Sequence, residues 1–587
     1  MVSSEEIQKA IALHRAGKLQ EAAHAYREIL RRNPADVDAL NLLGTILVGA
    51  GLYEQGEALA RQAISISPNY AAPFITLGNA LHGAGQYEEA AEVFRTALAI
   101  DGNEPAAYNN LASTLNELRR YDEAMRVCLS GLALTSKMPA LYNNLGNAME
   151  SKGEFVAAEQ NYRKALTLDK KFPDALYNLG TLLSDVEKID EAIPLLENAV
   201  LVDPDHAEKH YNLANTLRRS GRFDDARRYY ENAIQLSPED ENIINNLAIT
   251  MQMQGCLKDA IKLLRTAIKS NPENPDLHWN LALILLELGE FEEGWLEYEW
   301  RWKSSSFTSP QLKLTSPVWC GGDIKDKTLL VICEQGFGDH IQFSRYLPLI
   351  AEKEIKIIVV CRPELRRLFN AMPSVKQALD WGDTSLHYDY YISLMSLPNI
   401  FGTILETIPN CFPYLPSIKN SSLAEKICNT SGLKVGLVWA GSSTRQSDKF
   451  RSFHASSFDP LVKLTGASFF SLQVGEKSAE LYEMSNSDVI IDLGSDFMDF
   501  ADTSAAILEL DLIISVDTAV AHLAGAFGIP VWIILSNPAG YLWMRNRTDT
   551  PWYPSARLYR QDNLDDWARV LEEIFQDLSN LIAKIDD

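Results

Sequence analysis

Asn144-Leu145-Gly146-Asn147-Ala148-Met149-Glu150, with Ala158 and Tyr162 downstream, returns 34 residues later as Asn178-Leu179-Gly180-Thr181-Leu182-Leu183-Ser184, with Ala192 and Leu196 downstream. The register extends both ways. Pro34, Pro68, Pro204, Pro238 and Pro272 fall on one grid of period 34, and Gly102, Ser136 and Lys170 hold its remaining points. Twelve residues before each point stands a small residue: Ala22, Gly56, Ala90, Ala124, Ala158, Ala192, Ala226 and Ala260. Twenty-four before stand Gly44, Gly78, Ala112, Gly146, Gly180, Ala214 and Ala248. Eight before, the residue is bulky at Tyr26, Phe94, Tyr162, Leu196, Tyr230 and Leu264, with Ala60 and Cys128 departing. Helices that cross closely need small residues at the crossing, an aromatic fills the gap between neighbouring units, and a proline stops the second helix. An unbroken period of this length predicts stacked helix pairs. Eight units and a half-changed ninth (Ala282, Gly294, then Trp295, Tyr298, Trp300 and Trp302) occupy residues 5–302.

The pattern resembles the tetratricopeptide repeat, which implies an α-solenoid that binds another protein. One column bears on that. Asn110, Asn144, Asn178, Asn212, Asn246 and Asn280 recur every 34 residues, two positions before the small residue of the first helix, while Leu42 and Thr76 stand there in the second and third units. In this family that position faces the concave side. A primary amide both donates and accepts, so such a ladder suits an extended peptide backbone, from the fourth unit through the partial ninth. A similar ladder lines the solenoid of O-GlcNAc transferase. The plain alternative is that these asparagines order the packing between units.

Ser and Pro in Lys303-Ser304-Ser305-Ser306-Phe307-Thr308-Ser309-Pro310 break the helical pattern. The aromatic run before it, Trp295 to Trp302, reads as a face that packs the repeats rigidly onto the next domain. Beyond Pro317 short apolar runs alternate with helical stretches. Strands are expected at 328–333, 355–361, 388–394, 434–439, 468–472, 489–493, 512–516 and 531–535. Apolar runs separated by helices imply parallel sheets buried on both faces. The proline-rich stretch from Ile408 to Pro416 divides them into lobes at 317–415 and 430–560, and an amphipathic helix at 565–585 closes the chain. In such folds a ligand lies at the carboxyl ends of the strands.

Three loops carry the chemistry. Glu334-Gln335-Gly336-Phe337-Gly338-Asp339-His340 follows a strand and opens a helix, where Gly336 and Gly338 admit a close ligand and the helix N-terminus favours an anion. Asp339 alternatively caps that helix. The stretch from Trp439 to Ser452 combines hydroxyls, a glycine and three basic residues, which suit a diphosphate; its plain reading is a solvated loop. Ser515-Val516-Asp517-Thr518-Ala519-Val520-Ala521-His522 ends a strand and begins a helix, with Thr518 and His522 on one face. The plain reading of His522 is a core histidine.

In this order the loops resemble the heptosyltransferase superfamily, whose GT-B fold has two Rossmann-like lobes. The resemblance spans about 325–560. It implies that Asp339 is the general base, that Gly336 and Gly338 belong to the donor-facing turn, that Ser442, Ser443 and Lys449 bind phosphate, and that Asp517, Thr518 and His522 bind the nucleotide sugar. With the repeats, the chain looks like bacterial repeat-linked glycosyltransferases, some of which modify flagellin, and it parallels O-GlcNAc transferase in architecture. The expectation is a metal-independent transfer of sugar from a nucleotide-sugar co-substrate to a protein hydroxyl, with no further cofactor. The alternatives are a non-catalytic repeat scaffold with a degenerate transferase half, and a transferase directed at lipopolysaccharide.

Composition narrows the field. The 587 residues are 46% hydrophobic and 22% charged, with a net charge of −24. That argues against a chain-wide affinity for nucleic acid or anionic membrane. The start Met1-Val2-Ser3-Ser4-Glu5-Glu6 lacks the basic and apolar segments of a secretion signal. The most apolar stretch, 518–535, reads as a helix and a strand rather than a membrane span. Seven cysteines without a C-x-x-C pair read as free thiols of a cytoplasmic protein.

Overall fold

The computed structural model describes residues 4–312, 314–381, 387–441, 451–562 and 566–586. The chain divides into two compact units, Met1–Pro238 and Glu239–Asp587.

The first unit holds seven antiparallel helix pairs, from Ser4–Arg15 with Leu19–Arg32 to Ala207–Arg219 with Phe223–Leu236. Its periodic columns pack against one another. A Cβ added at Gly78 would lie 2.5 Å from the Phe94 ring, and one at Gly146 would lie 2.5 Å from the Tyr162 ring. The bulky side chain therefore fills the space over the small residue of its own pair, where the sequence suggested the gap between units. Nor does proline set the helix ends. The helices closing at Ile100, Leu134 and Leu168 lack it, yet stop at the same grid position as those closing at Arg32 and Ile66. In each, the next residue leaves helical geometry and its N–H bonds back to the carbonyl four residues earlier. The turn inside each pair needs a left-handed residue. Gly17, Gly51, Gly85, Gly153 and Gly221 supply it, and Arg119 and Glu187 take the same conformation at φ 56° and 62°.

The second unit begins with two more pairs, Glu241–Met253 with Leu257–Ser270 and Pro275–Leu288 with Phe291–Tyr298, and then a 3-10 turn, Glu299–Lys303. The division thus falls two pairs before residue 302, where the sequence ended the repeat domain. The reason is packing: Phe291, Trp295 and Tyr298 share one buried cluster with Leu329, Val331 and Trp552 of the α/β part.

That part has two parallel sheets. The first comprises β1 (Thr328–Ile332), β2 (Lys356–Cys361), β3 (Val375–Asp380) and β4 (Tyr390–Ser393), in the order β3-β2-β1-β4. The second comprises β5 (Leu433–Val438), β6 (Ala467–Ser471), β7 (Ile490–Asp492), β8 (Leu512–Val516), β9 (Val531–Leu535) and β10 (Ala556–Arg560), in the order β10-β9-β8-β5-β6-β7. Both faces of the second sheet are covered. Ile513 joins the cluster that contains Ala521 and Ala524 of the helix Ala519–Phe527, while Ile514 and Val516 join Val570, Ile574 and Leu578 of the closing helix Trp567–Asp586. Continuous apolar or aromatic runs made eight strands legible, including β4 and β7 at sheet edges. The two others, β3 and β10, lie at sheet edges and carry Lys376, Gln377 and Arg557, so no continuous apolar run marks them.

Taken in chain order, the second sheet reads 3-2-1-4-5-6 and the first 3-2-1-4. The order reverses between β5 and β8 in one and between β1 and β4 in the other, and such reversals open a crevice at the carboxyl ends of the strands.

Candidate functional site

Beyond β1 the chain enters the first crevice. Glu334 is fully buried, Gln335 adopts a left-handed φ of 74°, and Gly336 caps the helix Phe337–Phe343. Asp339 Oδ2 accepts the Gly336 N–H at 3.0 Å, so this carboxylate does cap the helix, as its plain reading had it. Two tyrosines from distant segments converge here. Gln335 Nε2 donates to the Tyr298 hydroxyl at 2.5 Å, and the Tyr541 hydroxyl donates to that of Tyr298 at 3.3 Å. Burial raises both phenol pKa values, and the negative charge of Asp339 raises them further. His340 is fully buried, and that burial, reinforced by the Arg362 charge, lowers its pKa to about 3. It is neutral at pH 7.

Between β1 and β4 sits an ion pair. Arg301 Nη2 donates to Glu334 Oε1 and to Ser396 Oγ, each at 2.8 Å, while Nη1 reaches Glu299 Oε1 at 3.1 Å. Burial raises the Glu334 pKa and the Arg301 charge opposes it. The end of the last repeat thus fills the reversal point of the first sheet.

At the second reversal β8 ends on Val516, Asp517 follows, and Thr518 is the N-cap of the helix Ala519–Phe527, its hydroxyl 2.9 Å from Ser515 Oγ. His522 is 4% exposed. Its Nδ1 lies 3.0 Å from the Tyr553 hydroxyl, its Nε2 3.9 Å from Asp517, and its ring 5.0 Å from that of Trp543. Burial lowers its pKa to about 4 against the pull of Asp517, so it too is neutral at pH 7. The core reading of His522 therefore fits its burial. Beyond β5, Gln473 Oε1 accepts the N–H groups of Trp439 and Ala440, Gly441 N–H bonds Ser452 Oγ at 3.1 Å, and Arg451 donates to the Asp517 carbonyl at 3.2 Å. Ser442, Ser443 and Lys449 lie outside the described residues.

The first and third loops meet. A Cβ at Gly338 would stand 2.7 Å from His522 Cδ2 and 3.1 Å from its Nε2. Gly338 is therefore small because the His522 ring occupies the space. Gly338, between Gly336 and Asp339 on one loop, is thus brought against His522, whose own loop carries Asp517 and Thr518. Two further contacts join the sheets: Arg367 bonds Asp499 at 2.6 Å, and the rings of Phe337 and Phe500 lie 5.0 Å apart. Sequence reasoning missed Gln335, Tyr298, Arg301 and Tyr541. The aromatic run at 295–302 held Tyr298 and Arg301, and the first loop held Gln335, without marking their roles.

The asparagine column bonds to polar side chains of the preceding first helices. In the first unit Asn110 Nδ2 donates to Asn79 at 2.7 Å, Asn144 Nδ2 to Asn109 at 2.9 Å, Asn178 Nδ2 to Asn143 and Asn147 at 3.0 and 2.8 Å, and Asn212 Nδ2 to the Tyr177 hydroxyl. In the second, Asn280 Nδ2 donates to Asn245 at 2.6 Å, and Asn246 is half-buried. These bonds tie first helices together. A groove of about 500 Å³ in the first unit is lined by Asn109, Asn110, Asn143 and Asn144, together with Thr76, His82 and Phe94.

Profiles described as tetratricopeptide repeat match residues 7–71 and 177–241, 81–145 and 139–172, and one described as TPR repeat matches 253–289. The repeats are tetratricopeptide repeats. The chain is similar to Protein FlbA of Caulobacter vibrioides, 26% identical over 339 residues, covering 51% of this chain and 54% of that protein. The chain thus spans about half the length of that relative. Among solved structures it is similar to the Cut9–Hcn1 hetero-tetramer of APC/C (19% identity, TM-score 0.40, 48% of this chain and 56% of that one). It is also similar to YrrB, described as a TPR protein with an unusual peptide-binding site (23% identity, TM-score 0.25, 31% and 94%). Among the described residues no helix is long and apolar enough to cross a membrane.

Proposed function

We propose that the α/β half is a nucleotide-sugar-dependent glycosyltransferase of the GT-B type, and that the repeats hold a protein acceptor in the cytoplasm. The observation that carries this reading is the meeting of two strand-end loops at Gly338 and His522, each emerging where its sheet reverses order. Asp339 takes the proton from an acceptor hydroxyl as that oxygen attacks the anomeric carbon. The bond to the nucleotide breaks, and the charge gathering on its phosphate falls to the N-terminus of the helix Ala519–Phe527 and to Ser442, Ser443 and Lys449. Thr518 and Asp517 orient the donor. His522, neutral and bonded to Tyr553, packs that helix against Tyr553 and Trp543. Gly336 and Gly338 belong to the donor-facing turn, and the asparagine column with its groove is the acceptor's track.

The test is mass spectrometry of a co-expressed acceptor such as flagellin with the wild type and with Asp339→Asn. Asparagine keeps an oxygen for the Gly336 N–H, so it removes the base and not the cap. The expected outcome is a glycan mass shift that falls by about 10²–10⁴ in rate in the variant. Equal transfer by both proteins would remove Asp339 from the base role. A second reading, a repeat scaffold without chemistry, is favoured by the capping bond of Asp339 and by the amides bonded to one another. It predicts no shift with either protein.

A further inference from the structure

We infer that the end of the last repeat and the linker after it, Tyr298 to Ser309, form a positioning clamp on the strained Glu334–Asp339 turn. A non-glycine residue in the left-handed region is uncommon and carries a conformational cost that its surroundings must offset. Gln335 is such a residue, with φ 74°, and it directly precedes the turn that carries Asp339. Two of its polar groups are taken by the clamp: its backbone N–H donates to Ser309 Oγ at 3.0 Å and its side-chain amide to the Tyr298 hydroxyl at 2.5 Å. Its carbonyl accepts from Arg362 Nη2 at 3.3 Å, at the end of β2. The residue before it, Glu334, is pinned by Arg301 at 2.8 Å with both side chains fully buried. Three contacts from one short segment thus bear on two consecutive residues, and that segment is the end of the repeat array rather than part of either sheet.

The consequence goes beyond packing. The backbone angle at Gln335 fixes where Gly336 begins the helix, and so where the Asp339 carboxylate stands. The last repeat pair therefore sets the geometry of the carboxylate to which the proposed transfer assigns the proton. This rests on the transferase reading for its functional meaning, but not for its structural content. Tyr298 and Ser309 act through Gln335 and are positioning residues. The clamp also explains why an arginine is buried at a sheet reversal: Arg301 reaches across β1 and β4 to Ser396, 95 residues away in sequence, and anchors the segment that carries Tyr298 and Ser309.

The experiment is amide hydrogen exchange on the full chain, comparing the wild type with Tyr298→Phe, Ser309→Ala, the double variant and Gln335→Gly. The first two remove single oxygens and leave the buried ion pair intact. Each lost bond should speed exchange at the Gln335–Gly338 amides by about fivefold, and the double variant by roughly twentyfold, with protection elsewhere unchanged. Because glycine takes a left-handed φ without strain, Ser309→Ala in a Gln335→Gly background should have a smaller effect. Exchange at these amides within twofold of wild type in the double variant overturns the clamp. So does acceleration spread evenly over the second unit, the result of a merely structural role. With an active preparation, the double variant should lower kcat and leave the donor KM unchanged. Faster local exchange in a protein that transfers no sugar, wild type included, would keep the clamp and refute the transferase. Normal exchange with active enzyme would do the reverse.

Discussion

The two parallel sheets reverse their strand order at the same place, beside their first strand, and use that place differently. In the first, the crevice between β1 and β4 is filled by the chain itself: Arg301 reaches Glu334 and Ser396 there. In the second, the reversal between β5 and β8 is framed by Gly441, Arg451, Asp517 and Thr518, with strand-end backbone and a helix N-terminus turned to it. One crevice holds a loop of the chain; the other is where the proposed transfer places the donor. The same reversal in two sheets is thus surrounded by different residues, and it is those residues that any function must be argued from.

Breaking the filled crevice should have the largest effect. Arg301→Met strands Glu334 without a partner in the core and should cost about 3–5 kcal/mol of stability in urea denaturation. Adding Glu334→Leu should restore most of it, since removing both charges removes the penalty. If the single variant were neutral, the first crevice would be no more filled than the second.

A pH series sharpens the contrast from the other side. Burial depresses the pKa of His522 to about 4 and of His340 to about 3. The unfolded chain therefore binds protons that the folded chain refuses once the pH falls below about 6.5, so the stability these groups contribute is full above that value and is lost on acidification. Each histidine should cost about 2 kcal/mol between pH 6.5 and 5. His522→Asn should remove its share of that slope and leave the share of His340. An unchanged slope would mean that His522 is open to solvent.

The contact between the two sheets is the next target. Gly338→Ala puts a methyl carbon 2.7 Å from His522 Cδ2 and should cost about 1–3 kcal/mol, as overpacking does. The cost should fall when His522 is shortened to alanine. In the repeats the same distinction between polar groups already used and polar groups on offer appears on a smaller scale. Asn178→Ala removes two bonds to the preceding pair and should lower stability by about 1 kcal/mol. A stability unchanged within error would free the column from any packing role.

The repeats were legible because each pair solves the same packing problem, so the solution recurs at a fixed spacing. The strands were legible where the chain keeps an apolar run, as even the edge strands β4 and β7 do, and β3 and β10 were missed because Lys376, Gln377 and Arg557 interrupt theirs. The loops at Gly336–Asp339 and Asp517–His522 could be read as strand-to-helix turns, but their meeting could not: Gly338 and His522 are far apart in the chain, and nothing local marks a glycine kept small by a distant ring. Arg301, Tyr298 and Gln335 escaped for the same reason. The left-handed column at Gly17, Gly51 and Gly85 was visible in the sequence and went unread, though it shows where Arg119 and Glu187 hold a strained angle.

The most direct test of the second crevice as a nucleotide-sugar site is thermal unfolding of the full chain against ADP-, UDP-, GDP- and CMP-sugars, with Asp517→Ala in parallel. The account predicts that one nucleotide class stabilises the wild type, by about 2.7 kcal/mol at one hundred times its dissociation constant, and that the variant loses most of this. Stabilisation by none of the four, or equal stabilisation of both proteins, would contradict it.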